Sequence, residues 1–131
     1  MVLEIVAIVI SVVSLVAALY QSFGLKKTLD NQIYESFISN SLEIDRLLIE
    51  YPEIRKYVYY GEPVDDNTPD IDRIMSVIEF VVDAVENIEV YKKYIPKSRR
   101  DGWLKFVDDV THTPAYEYYN EKHGLWFEVK K

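Results

Sequence analysis

The sequence predicts an all-α protein: a single transmembrane helix that continues into, or is joined to, a small cytoplasmic bundle of about five helices. Three observations predict it. An uncharged apolar run extends from Ile5 through Tyr20. Beyond it, apolar residues recur at helical spacing between proline and glycine breaks. No segment sustains the two-residue alternation of a strand, since Tyr57 and Tyr59 alternate only within a short run before Gly61. The 131 residues allow one domain, so the division expected is 1–25 for the membrane helix and 26–131 for the cytoplasmic domain.

The membrane helix comes first. From Val2 to Phe23 there are 22 residues, roughly 33 Å of helix against a hydrocarbon core of about 30 Å. Glu4 then falls among the headgroups. A cleaved signal peptide needs a basic n-region, whereas no Lys or Arg precedes Lys26. A buried core helix would need a far larger soluble protein to cover its all-round apolar surface. Lys26 and Lys27 directly after the span place the following domain in the cytoplasm and the N-terminus outside, with Tyr20 and Phe23 as interfacial anchors. Within the span Ala7, Ser11, Ser14 and Ala18 share one helical face that Gln21 continues. Such a small-residue ridge lets helices approach closely and offers hydroxyls, which makes it the candidate oligomer interface; small residues merely tolerated among Val, Ile and Leu are the alternative.

No proline interrupts the chain between Leu25 and Tyr51, so the membrane helix is free to run on as one rod, with Gly24 as the expected break. Leu29, Ile33, Phe37, Ile44, Leu47, Leu48 and Tyr51 form one stripe on it, and Ile38, Leu42 and Ile49 a second on nearly the opposite side. Packing from two directions is expected, one neighbour being another protomer. Asn40 interrupts the main stripe, either selecting register or lying at an interface edge.

Pro52 opens a short helix to Tyr60 that Gly61 stops. Glu62 to Pro69 has the composition of a solvated loop. Thr68-Pro69-Asp70 caps a central helix ending near Tyr94, with Asp70 and Asp72 in its first turn and Ile71, Ile74, Ile78, Val81, Val82, Val85 and Ile88 along one face. Pro96 opens a helix carrying Trp103, Phe106, Val107 and Val110 at i, i+3, i+4, i+7. Thr113-Pro114 starts a last short helix ending near His123-Gly124, after which Leu125 to Phe127 fold back and Lys130-Lys131 fray.

Composition narrows the function. Fifteen Lys and Arg against 22 Asp and Glu give a net charge of −7, which opposes the counterion release that drives nucleic-acid binding. The absence of cysteine excludes disulfides, thiolate metal sites and Cys nucleophiles. The four glycines are isolated, so no phosphate-cradling loop or dinucleotide fingerprint is present, and no cofactor is expected. Ser98 lacks a GxSxG elbow. His112 and His123 stand eleven residues apart without an HExxH or Glu-x-x-His partner and are read as capping or solvated residues.

Asp72, Glu79, Asp83 and Glu86 share one face of the central helix, read as a solvated surface paired with Arg46, Arg55 or Arg73. The sharper reading makes Glu79, Asp83 and Glu86 ligands for a divalent cation, completed by a carboxylate or His112 from another helix. Tyr57, Tyr59 and Tyr60, like Tyr116, Tyr118 and Tyr119, suit half-exposed packing or a protein interface. Lys97-Ser98-Arg99-Arg100 is a small basic patch, able to touch anionic lipid where it faces the bilayer, with Asp101, Asp108 and Asp109 diluting it.

Glu50-Tyr51-Pro52-Glu53-Ile54-Arg55-Lys56-Tyr57 after Ile44-Asp45-Arg46-Leu47-Leu48, then Gly102-Trp103, Thr113-Pro114 and Trp126, carry a likeness over most of the chain. On these the chain resembles small membrane-anchored prokaryotic proteins of unknown function. The resemblance implies one N-terminal span and a helical cytoplasmic domain, and brings no catalytic residues with it. The expected function is therefore a non-enzymatic, membrane-tethered interaction or scaffold module whose partners are the bilayer and a second copy or another membrane protein. The alternatives are a divalent-cation-dependent hydrolase or cation sensor on the acidic face, and an accessory subunit of a larger membrane complex.

Overall fold

The computed structural model describes residues 1–123 and is all-α. The expected fold-back of Leu125 to Phe127, the fraying of Lys130-Lys131 and Trp126 of the resemblance lie outside the described residues. One helix, α1, runs unbroken from Val2 to Glu50, about 73 Å at 1.5 Å per residue. Gly24 does not break it. Its carbonyl accepts the Thr28 hydroxyl at 3.0 Å within an ordinary helical turn, so the apolar N-terminal segment and the domain's first helix are one rod.

Tyr51 and Pro52 end that rod. A 3-10 turn, Pro52–Ile54, leads into α2, Arg55–Tyr59. Gly61 takes φ 68°, where a Cβ would be strained, and this lets the Glu62 N–H donate back to the Lys56 carbonyl at 3.2 Å. In the following loop the Asp65 carboxylate accepts the Asn67 N–H at 2.8 Å, and the Thr68 hydroxyl accepts the Asp65 N–H at 2.9 Å. The central helix α3 spans Ile71–Tyr91. Asp70 is not inside its first turn as expected but caps it at φ 57°, a left-handed conformation that Asp tolerates better than most residues. A 3-10 turn, Lys92–Tyr94, then precedes α4, Lys97–Thr111, and α5, Pro114–His123.

α3 is the hub. Ile74, Ile78, Val81 and Val85 pack with Ile44 and Leu48 of α1, Ile54 and Val58, Val110 of α4, and Ala115 and Tyr116 of α5. Each large aliphatic side chain buried there contributes roughly 1.5–3 kcal/mol. A smaller cluster joins Phe37 of α1, Ile88 near the end of α3, and Ile95, with Ile33, Tyr34 and Trp103 against it. Trp103 meets Tyr34 and Phe37 at centroid distances of 6.4 and 6.2 Å. The main cluster joins Ile44 and Leu48 of α1 to the stretch of α3 from Ile74 to Val85, and the smaller one joins Phe37 to Ile88, so α3 runs back along α1 toward its apolar end.

The buried face of α3 is wider than its predicted stripe. Met75, Val77 and Ala84 are also buried, because α1 covers one side and α4 and α5 the others. On α1 the main stripe is buried at Phe37, Ile44 and Leu48, half-buried at Ile33, Leu47 and Tyr51, and exposed at Leu29. The correction at Leu29 has a geometric cause: the domain first covers α1 at Asp30. Ile38, Leu42 and Ile49 are exposed, so within one chain α1 is packed from one direction only. Asn40 is half-buried within the main stripe, between Phe37 and Ile44.

Candidate functional site

Every residue from Met1 to Leu29 is exposed, and none of the residues in the part of α1 that is apolar enough to cross a membrane is buried by the rest of the chain. This helix is long and apolar enough to cross a membrane, and it presents its apolar side chains on all sides. Ala7, Ser11, Ser14, Ala18 and Gln21 all lie on that uncovered surface. The Ser11 hydroxyl donates to the Ala7 carbonyl at 2.8 Å. That hydroxyl is thus engaged within its own helix, a distinction invisible in residue spacing.

The second candidate surface is the acidic face of α3. Asp72 and Glu79 line a cleft of about 390 Å³ between α3 and α5, together with Ile71, Met75, Ser76, Tyr118, Tyr119, Lys122 and His123. The His123 ring stacks on Tyr119 at a centroid distance of 4.3 Å. Asp83 and Glu86 continue the row. Burial raises the Asp83 carboxyl above its ordinary range and the Glu79 charge raises it further; for Glu86 the causes are burial and then Asp83. Tyr119 is raised by burial, then by Glu79 and Asp83. Asp72, Glu79 and Asp83 are exposed and Glu86 is half-buried, so the row is largely the solvated face expected from sequence, bordered by α5 and its tyrosines.

The arginines expected to pair with the row are engaged elsewhere. Arg46 pairs with Glu43 on α1, Arg55 lies 6.0 Å from the Tyr59 ring centroid, and Arg73 sits 3.8 Å from Asp70 and 4.7 Å from the Tyr51 ring centroid. Among the described residues no three His, Asp or Glu side chains are arranged to hold a metal ion, so no second element completes Glu79, Asp83 and Glu86 as a cation cage. His112 stands at the end of α4, its Nδ1 2.7 Å from the Asp108 carbonyl. Ser98 is exposed in the first turn of α4.

One polar junction escaped the sequence reading. The Tyr118 hydroxyl donates to Asp66 Oδ1 at 2.5 Å, and Lys122 Nζ lies 2.9 Å from the same oxygen. The Tyr118 hydrogen bond, with Lys122 second, holds the Asp66 carboxyl below its usual range. It clips the 62–69 loop onto α5 across 52 residues of chain, a separation that no local pattern reports. The tyrosine clusters divide within themselves: Tyr57 and Tyr116 are buried, Tyr59, Tyr118 and Tyr119 half-buried, and Tyr60 exposed.

The basic patch lies where α3 turns into α4. Lys97, Ser98 and Arg99 are exposed, whereas Arg100 is half-buried and donates through Nη2 to the Ile95 carbonyl at 3.0 Å. Arg100 thus ties the turn together, and Lys92 and Lys93 extend the exposed positive charge on its other side. Neither a family model, nor a curated protein, nor a solved structure matches this chain.

Proposed function

We propose that this protein is a single-pass, membrane-tethered helical module without catalytic activity. Residues 1–25 sit in the cell membrane with the N-terminus outside, and the helical domain acts in the cytoplasm as an interaction or scaffold surface. One observation carries the reading: the first 29 residues of the chain are uncovered, although the same helix supplies Phe37, Ile44 and Leu48 to the core. An all-round apolar helix left bare by its own domain is stable only with an apolar solvent around it. Lys26 and Lys27 support the cytoplasmic assignment.

The module associates with a second copy through the ridge at Ala7, Ser11, Ser14, Ala18 and Gln21. Ile38, Leu42 and Ile49, exposed farther along the same rod, support packing from a second direction outside the membrane. Particle size in mild detergent tests the ridge: Ser11→Leu with Ser14→Leu reduces the assembly to the monomer, and an unchanged size refutes the interface. Crosslinking in native membranes distinguishes the two partners. A ladder of multiples of one chain supports self-association, whereas a single heterologous adduct assigns the ridge to another subunit.

A further inference from the structure

The domain is electrically polarised along the rod that tethers it. Because α3 runs back along α1, the turn joining α3 to α4 is the domain's near end, with Ile95 buried against Phe37 and its neighbours Ile33 and Tyr34. Coverage of α1 begins at Asp30, seven residues past Phe23, about 10 Å of helix. The headgroup layer takes up roughly 5–8 Å of that interval. At this near end Lys92, Lys93, Lys97, Arg99 and Arg100 fall within nine residues that contain no acid. Acids border this end too: Glu89, which pairs with Lys92 at 3.3 Å, Asp101 directly after Arg100, and, on the stretch of α1 around Ile33 and Phe37, the half-buried Asp30 and the exposed Glu35. Tyr91 and Tyr94, 6.2 Å apart, stand among the cations. At the far end the loop between α2 and α3 carries Glu62, Asp65, Asp66 and Asp70. A chain of net charge −7 thus gathers positive charge and amphipathic rings at the end nearest the bilayer.

We propose that the turn from Lys92 to Arg100 docks the domain onto anionic lipid headgroups of the leaflet from which α1 emerges. The proposal rests on the membrane-tethered reading, since the tether brings this surface to the lipid. Two features fit it: lysines and arginines within a Debye length of about 8 Å of an anionic surface are attracted to it, and tyrosines favour the headgroup level. Arg100 has a second role, its bond to the Ile95 carbonyl shaping the turn that presents Lys93, Lys97 and Arg99.

The absence of native cysteine allows one nitroxide label per molecule. Full-length protein carrying Ser98→Cys or Asn67→Cys is labelled and reconstituted into vesicles of phosphatidylcholine alone or enriched in phosphatidylglycerol. A relaxation agent fixed to lipid headgroups then reports proximity. The Ser98 label responds strongly in phosphatidylglycerol and weakly in phosphatidylcholine or at high salt, and the Asn67 label responds in neither. Lys93→Gln, Lys97→Gln and Arg99→Gln, which leave Arg100 in place, each reduce the docking equilibrium constant about fivefold, as expected for removing one cation near an anionic surface. A Ser98 response indifferent to phosphatidylglycerol in vesicles that retain the protein overturns the docking and leaves the tether standing. Protein that fails to float with the vesicles overturns the tether and the docking with it.

Discussion

Replacing Leu48 by alanine separates the two roles of the long helix. Leu48 is 1% exposed and belongs to the main core, whereas Leu42, less than two turns earlier on the same helix, is 62% exposed. Truncating a buried leucine removes its transfer free energy and leaves a cavity, together about 3 kcal/mol or more. For a domain of this size 1 kcal/mol moves the melting temperature by roughly 4–8 °C, so Leu48→Ala lowers it by about 12 °C at the least. In the monomeric Ser11→Leu, Ser14→Leu background, Leu42→Ala, which opens no cavity in one chain, changes stability by within about 0.5 kcal/mol. The assay is near-ultraviolet circular dichroism on heating in detergent, because a membrane helix keeps its far-ultraviolet signal after the domain melts. Equal losses at the two positions, or a loss below about 1 kcal/mol at Leu48, would refute the account of α1 as a structural part of the domain.

Two further outcomes follow from the charged face and the loop. Asp83 stands one turn from Glu79 with its carboxyl raised by burial and by that charge, so Asp83→Asn stabilises the domain by about 0.5 kcal/mol at neutral pH. The sign follows from linkage: a raised carboxyl pKa destabilises the fold above that pKa and ceases to do so as pH falls through it, so the gain disappears in acid. Melting curves of both proteins across pH check this, and millimolar Ca²⁺ or Mg²⁺ leaves the melting temperature of the parent unchanged if the row binds no cation. Tyr118→Phe removes the donor that chiefly lowers Asp66 and speeds amide exchange in residues 62–69. Because a lowered carboxyl pKa stabilises above the ordinary range and ceases to as pH falls through the folded value, that difference narrows in acid.

The helix boundaries were legible because proline and glycine act locally. Pro52, Gly61, Pro69, Pro96 and Pro114 each stand within a residue or two of an observed helix end. The periodicity of α3 placed Ile74, Ile78, Val81, Val85 and Ile88 correctly in the core. Asp70 was misplaced by one position, because composition cannot show that the residue entering the helix turns through a left-handed conformation. Leu29, Ile38, Leu42 and Ile49 have the spacing of buried residues, yet how far the domain climbs α1 depends on where α3 and α4 meet it. The acidic row shows the same limit: its neighbours Tyr116 and Tyr119 arrive on α5, tens of residues later. Charges at Lys92, Lys93 and Lys97 to Arg100 were visible in the sequence, but their position at the domain's near end required the return path of α3.

Extraction of native membranes with alkaline carbonate tests the central claim most directly. The account predicts that the full-length chain stays in the sedimented bilayer, and that it moves to the supernatant only after Val9, Val13 and Val16 are changed together to aspartate. Release of the unaltered chain by carbonate would mean that the bare helix of residues 1–25 is covered by something other than lipid.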